Sequence, residues 1–187
     1  MDKAMLRQAL RARRQALATG EIARAAELAT CHLLLEPGWR QARTVALHLA
    51  VRGELPTAAL IAAAWKDGKR VALPRMSGGR MELRLATAST VLKPGTHRIP
   101  EPPVDAEFID PSELDLVLAP GVAFDRHGGR LGQGGGDYDR LLSRLRPDCL
   151  TIGWCHDFQL VDAVPTEPHD RRVGLLITPA GRHSVVR

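Results

Sequence analysis

Apolar residues recur at near-helical spacing through positions 2–35. Met5, Leu6, Ala9, Leu10, Leu17, Ile22, Leu28 and Leu33–Leu35 carry the period, in an alanine-rich background, and predict helix. Thr19-Gly20-Glu21 reads as a break between two helices, and Glu36-Pro37-Gly38 as a stop. The pattern then changes. Residues 44–50, TVALHLA, read as a short buried strand. Residues 56–66 read as a helix, with Pro56 near its first turn and Gly68 just past its end. Residues 69–73, KRVAL, form a second strand, closed by Pro74. Strand, helix and strand in roughly thirty residues make a βαβ unit, which requires a parallel sheet.

Residues 81–85 fit an edge strand or hairpin arm, and the proline-bearing stretch 86–113 has no period and is expected on the surface. Residues 114–119, LDLVLA, are the best central strand. A glycine-rich loop follows, then a helix over 138–145 and strands over 149–154 and 174–178. Alternating strands and helices predict an α/β fold, one Rossmann-like domain over 1–187 with a mostly parallel sheet and an N-terminal helical arm, 1–35, packed on it. Ligands in such folds sit beyond the carboxyl ends of the strands.

Composition narrows the picture. The 187 residues are 44% hydrophobic and 25% charged, which excludes a wholly disordered chain. Aromatics are only 4%, so the core must be built mainly of Leu, Val and Ala. No apolar run approaches the length of a membrane span. Met1-Asp2-Lys3 leads into a charged helix, so no signal peptide is expected. Cys31, Cys149 and Cys155 are odd in number and unevenly spaced. They imply no disulfide framework, do not match zinc spacing, and suit a reducing cytoplasm as buried thiols in or beside strands. The formal charge is +5, and residues 1–24 hold six basic side chains (Lys3, Arg7, Arg11, Arg13, Arg14, Arg24) against Asp2 and Glu21. Lys3, Arg7 and Arg11 share one helix face, so a row of acceptors on the body or an anionic ligand must compensate their repulsion.

The stretch 120–140 dominates the candidate chemistry. It holds seven of the 17 glycines and the only tyrosine, Tyr138. Gly132, Gly134, Gly135 and Gly136 leave room for tight turns or a closely approaching ligand, and free N–H groups ahead of a helix suit an anion. Arg130 adds a forked cation. The loop is neither a dinucleotide fingerprint nor a Walker loop: Asp137 stands where the last glycine is needed, and no Gly-Lys-Ser/Thr occurs. Asp139 reads equally as a Mg²⁺ ligand or as a first-turn acid, and Asp170 as a second oxygen ligand or a turn residue. Glu54, just past the first strand, can accept N–H bonds from a heterocycle or simply open a helix. His48, inside an apolar strand, reads as a packed core residue. No Gly-x-Ser-x-Gly elbow is present.

Three segments together resemble the signature of the 5-formyltetrahydrofolate cyclo-ligases: residues 117–125 (VLAPGVAFD), 130–136 (RLGQGGG) and Tyr138-Asp139-Arg140. Lys3-x-x-Leu6-Arg7, Glu54-x-x-Thr57, Leu73-Pro74-Arg75-Met76, Gln159 and the stretch 167–178 extend the resemblance over nearly the whole chain. It implies a fold of the sugar-phosphate-isomerase and CoA-transferase type. It also implies ATP- and Mg²⁺-dependent closure of 5-formyltetrahydrofolate, with or without a polyglutamate tail, to 5,10-methenyltetrahydrofolate. Under that resemblance Lys3, Arg7, Arg130, Gly132, Gln133, Gly134, Gly135, Gly136 and Tyr138 contact ATP, and Lys3, Arg130 and Tyr138 are the catalytic candidates. Leu49, Glu54, Gln133 and Asp137 contact the folate, and Asp139 and Asp170 hold Mg²⁺. A cytoplasmic monomer is expected, with neither membrane nor nucleic acid as partner.

The chain departs from that pattern at Asp137, where relatives usually carry an aromatic residue, at Gly135, often lysine, and at Gly174, often aspartate. Asp137 keeps a second reading open, an ATP-using relative with another formylated or carboxylated heterocycle as substrate. The basic first helix keeps a third, a nucleotide- or RNA-binding module without catalysis. No aromatic residues interleave with its charges before Trp39 to stack bases.

Overall fold

A computed structural model of the chain describes residues 2–186, apart from the side chain of His97. Helix α1 (Lys3–Gln15) begins where Asp2 Oδ1 accepts the Met5 N–H at 2.8 Å. Helix α2 (Thr19–Leu35) follows. The break falls at residues 16–18, ahead of Thr19-Gly20-Glu21, which instead form the first turn of α2. The physical reason is Glu21, whose carboxylate accepts the Ala18 N–H at 2.8 Å and so starts the helix. The stop at Glu36 holds, and Pro37 opens a further short helix, α3 (Pro37–Gln41).

The βαβ unit is β1 (Thr44–Ala46), α4 (Ala58–Lys66) and β2 (Arg70–Ser77). Strand β2 does not stop at Pro74. It continues to Ser77 as one arm of a hairpin with β3 (Arg80–Ala86). The proline is tolerated because β1 ends at Ala46, opposite Ala72, so one side of β2 has no strand neighbour beyond that point. A two-residue ribbon, β4 (Lys93–Pro94) with β5 (Pro100–Glu101), interrupts the surface stretch. That stretch is not all surface, since Glu101 and Ile109 are buried and the Ile109 N–H bonds the Leu83 carbonyl at 3.0 Å. Strand β6 (Leu116–Pro120) is followed by a small hairpin, β7 (Ala123–Asp125) and β8 (Arg130–Leu131). Helix α5 (Asp137–Leu142) is shorter than the pattern predicts. Then come β9 (Leu150–Trp154), β10 (Leu160–Val161), β11 (Leu175–Thr178) and β12 (Gly181–Ser184).

The main sheet has the order β12-β11-β9-β6-β1-β2-β3, with β6 in the middle. Its inner neighbours pair in parallel and its two edge strands, β3 and β12, antiparallel. Alternate residues serve opposite faces. Val45, Val71, Leu116, Leu118, Ile152 and Ile177 join a core with Ala29, Leu33, Leu60 and Ile61 of α2 and α4. Ala46, Ala72 and Val117 join Leu141 of α5 on the other face. Both faces are buried, which is why these strands read as near-continuous apolar runs. Cys149 and Cys155 flank β9 and are buried, as expected. Cys31 departs from that expectation: it is exposed, on helix α2.

Leu118 sits in the central strand and is fully buried. Leu118→Ala should destabilise the chain by about 2–5 kcal/mol, lost transfer energy plus an unfilled cavity. Urea unfolding of the two proteins would read that as a lower midpoint at an unchanged slope.

Candidate active site

From β1 the chain moves outward to β2; from β6 it moves outward the other way to β9 and β11. The crevice between β1 and β6 is therefore the topological switch point of the sheet. A cavity of about 720 Å³ opens there. His48 and Leu49, just past β1, with Pro120 at the end of β6 and Gly121 just past it, line its floor. The loop 130–139 and the β2–β3 arm, with Met76 and Met81, form walls.

Helix α1 lies along this cleft, and its basic stripe finds the acceptors that the spacing demands. Lys3 Nζ is 2.8 Å from Asp170 Oδ2 and 3.1 Å from Glu167 Oε1. Arg7 donates to the Gly132 carbonyl at 2.9 Å. Arg11 donates to the Gln133 carbonyl at 3.2 Å and to its side-chain oxygen at 2.6 Å. Arg14, one turn on, is 3% exposed and reaches Glu54 at 3.4 Å. Lys3 and Arg14 are eleven residues apart, roughly 16 Å along a helix axis. The acidic pair Asp170/Glu167 and the lone Glu54 thus mark opposite ends of one cleft. Sequence reasoning missed the inward turn of Arg14. The signal was available, since position 14 continues the 3, 7, 11 stripe.

The glycine-rich loop is held by its carbonyls. Besides Arg7 and Arg11, Arg140 donates to the Gly135 carbonyl at 2.9 Å. In a planar trans peptide the C=O and the next N–H point opposite ways. Pulling three carbonyls toward arginines therefore turns the N–H groups of Gln133, Gly134 and Gly136 away from them. Among the described residues, the N–H groups of 133–136 donate to no protein acceptor. Gly134 (φ +115°) and Gly136 (φ +68°) adopt backbone angles that side chains resist. Arg130 lies beneath the loop, 5% exposed, with Nη2 2.8 Å from Asp139 Oδ1. A Cβ on Gly132 would come within 2.9 Å of its Nη1.

Asp139 and Asp170 come together although thirty-one positions separate them. Asp139 Oδ1 also accepts the N–H of Arg171, the residue after Asp170, at 3.0 Å. Two carboxylates beside a row of free amides could hold a divalent cation together with oxygens from an anionic ligand and water. In the chain alone, Arg130 and Lys3 neutralise them. Burial works to raise the Asp170 carboxyl, but Lys3 and the Glu167 N–H overcome it and hold it below the usual range. Burial likewise works to lower Lys3, and its bonds to Asp170 and Glu167 leave it raised.

At the far end, Glu54 Oε2 accepts the Val51 N–H at 3.2 Å, and Oε1 faces Arg14 and the Gln133 amide. Leu49 is half-buried beside it. Burial, reinforced by Glu54, pushes the Tyr138 hydroxyl up, so it stays protonated; Arg130 stacks 5.7 Å from its ring centroid. Asp137 pairs with Arg140, so its charge is already offset. Two residues that carry the resemblance, but for which the sequence offered no role, position the surrounding loops. Gln159 is buried and donates to the Gly121 and Val122 carbonyls at 2.9 Å each, while accepting the His156 N–H. Asp125 accepts the N–H groups of His127, Gly129 and Val164, tying the β7–β8 turn to a distant loop.

The Lys3–Asp170 pair generates a pH signature. Asp170 is depressed, so its contribution holds above about pH 4 and is lost as pH falls through its lowered value. Lys3 is raised, so its contribution holds below about pH 10 and is lost as pH rises further. The stability difference between the protein and Lys3→Met should be flat between those limits and shrink outside them. Urea unfolding across pH checks this.

The profile of the 5-formyltetrahydrofolate cyclo-ligase family matches residues 1–179. The Escherichia coli K12 5-formyltetrahydrofolate cyclo-ligase is 36% identical over 176 residues, covering 91% of this chain and 97% of that protein. The mouse protein of the same name is 29% identical over 182 residues, covering 90% and 89%. The NMR structure of Aquifex aeolicus 5,10-methenyltetrahydrofolate synthetase superposes with a TM-score of 0.90 at 32% identity, covering 100% of this chain and 94% of that one. A Mycoplasma pneumoniae synthetase shares the fold, with a TM-score of 0.78 at 22% identity. No described helix is long and apolar enough to cross a membrane. Sequence and fold thus agree, and the chain belongs to the 5-formyltetrahydrofolate cyclo-ligase family.

Proposed function

We propose that this cleft closes the ring of 5-formyltetrahydrofolate to 5,10-methenyltetrahydrofolate, consuming ATP and releasing ADP and phosphate. The observation that carries the reading is the two-ended cleft. Free loop amides, Arg130 and Lys3 face one end, and an acceptor carboxylate, Glu54, faces the other. The two ends suit a triphosphate and a donor-rich heterocycle.

A formamide oxygen is a poor leaving group, so it must be phosphorylated. In this reading it attacks the γ-phosphorus, and the bond to ADP breaks. The carbon becomes an iminium phosphate. N10 adds to it, phosphate departs with the former formyl oxygen, and the N10 proton is released. The amides of Gln133, Gly134, Gly135 and Gly136, with Lys3, Arg7 and Arg130, hold and neutralise the triphosphate. Asp139 and Asp170 would hold Mg²⁺, which supplies further charge neutralisation on the phosphates. Glu54 and Leu49 seat the pterin, and Gln133 and Asp137 lie between the two ligands. Met76, Met81, Ile99 and Pro100 give an apolar wall for the aminobenzoyl ring. Tyr138, neutral and stacked under Arg130, positions that cation rather than exchanging protons. Arg14, turned inward to Glu54, is not available to a polyglutamate tail.

Purified protein with Mg·ATP and 5-formyltetrahydrofolate should develop the methenyl absorbance, and only when ATP is present. A folded protein giving no signal would sink the reading. Asp139→Asn keeps the shape of the side chain but weakens its hold on a cation. It should lower kcat by roughly 100-fold or more, with circular dichroism unchanged; unimpaired turnover would remove Asp139 from the site.

A further inference from the structure

The turn that leads into Glu54 is strained, so the surrounding structure must hold it. The chain reverses over residues 51–54, where the Glu54 N–H bonds the Val51 carbonyl at 3.0 Å. Both central residues lie at positive φ, Arg52 at +53° and Gly53 at +75°. That is the pattern of a type I′ turn, which glycine adopts freely and arginine resists. Gly53 is needed for space as well, since a Cβ there would come within 2.9 Å of the Arg14 carbonyl oxygen. From this turn Glu54 takes its place in the cavity wall, with Oε2 accepting the Val51 N–H at 3.2 Å.

The hold comes from across the central strand. Strand β6 lies between β1 and β9, and the segment leaving β9 reaches past it to the loop leaving β1. There His156, 4% exposed and not part of the cavity lining, has Nε2 3.0 Å from the Gly53 carbonyl oxygen. A carbonyl can only accept, so Nε2 carries the proton and donates. The imidazole is itself fixed: it stacks on Phe158 with ring centroids 5.5 Å apart, and Gln159 accepts the His156 N–H at 3.0 Å. Trp154 Nε1 adds a second grip, donating to the Leu55 carbonyl at 2.8 Å. Because the peptide unit is planar, fixing the Gly53 carbonyl also fixes the Glu54 N–H that closes the turn. A backbone held at such angles persists only where its surroundings over-determine it. Resting on the folate reading above, we infer that His156 is a positioning residue for the reaction: by holding the Gly53 carbonyl it keeps the 51–54 turn in its strained form and so sets Glu54 for the substrate. It acts through Glu54, not on the substrate.

Three substitutions test this. His156→Phe keeps a ring to stack on Phe158 but has no donor for Gly53. His156→Gln places an amide N–H group near the Nε2 position. Arg52→Gly, alone and combined with His156→Phe, removes the resistance to positive φ, so the turn needs less holding. The measurement is KM for 5-formyltetrahydrofolate and for ATP in the wild type and each variant. His156→Phe should raise the folate KM roughly tenfold, as for one lost hydrogen bond, with the ATP KM unchanged. His156→Gln should recover most of that loss. In the Arg52→Gly background, His156→Phe should cost only about two- to threefold, because glycine holds the turn unaided. An unmoved folate KM in His156→Phe would overturn the inference alone. So would equal losses in the Phe and Gln variants, an undiminished loss in the Arg52→Gly background, or folate and ATP KM values rising together, each of which marks general packing rather than a held turn. A folded wild type that does not turn over 5-formyltetrahydrofolate overturns the proposed function and this inference with it.

Discussion

Everything at the candidate site depends on how the glycine-rich loop is held. A loop with four glycines in five residues has too much freedom to present a fixed set of donors. Here Arg7, Arg11 and Arg140 grip the carbonyls of Gly132, Gln133 and Gly135. Because the peptide unit is planar, fixing a carbonyl fixes the following N–H as well. The arginines thus orient the amides from behind. The short helix α5 contributes little of its own, since a macrodipole needs more aligned peptides than six residues supply.

That arrangement explains the charge on α1. Four cations on one face would weaken an isolated helix by mutual repulsion. In the folded chain each meets an acceptor on a different part of the cleft: the Asp170 loop, the two loop carbonyls, and Glu54. The helix is therefore a strap across both ends of the site, and its local instability is offset by contacts more than 120 positions away in sequence for Arg7 and Arg11. Arg14 and Glu54 are the most desolvated of these pairs. Removing either partner would strand a charge, which is more damaging than the net worth of the pair.

Much of this was legible in the residues. The βαβ unit, the central strand and the glycine-rich loop carry local signals of period and composition, and the folded chain keeps them. The features that were not legible are those decided by partners distant in sequence. Pro74 looks like a strand terminator, yet whether β2 continues depends on where β1 ends. Strands β7, β8 and β10 are two or three residues each, too short to show a period, and they exist because Asp125 ties their turns together. Arg14 and Gln159 resemble any surface arginine or glutamine until the fold turns them inward. Asp137 shows the converse. Its charge beside a loop of free amides looks disruptive in one dimension, and Arg140, one helical turn on, has already neutralised it.

The same reasoning bears on what kind of catalyst this cleft can be. A covalent mechanism would need an activated nucleophile in the cavity, and the cysteines do not supply one. Burial pushes the Cys149 thiol up to about 12 and raises Cys155 as well, so neither is a thiolate at neutral pH. Both flank β9 and pack in the cores that support the cleft. Cys31 lies exposed on α2, and none of the three lines the cavity. Tyr138 is held protonated. What the cavity does hold is a dense set of fixed donors at one end and acceptors at the other. Such a site suits the function proposed above, in which two reactants are placed and phosphate charge is absorbed without a side-chain nucleophile. The demand then falls on rigidity, which is why buried groups with no part in bond-making, Gln159 and Asp125 among them, carry so many of the hydrogen bonds around the loop.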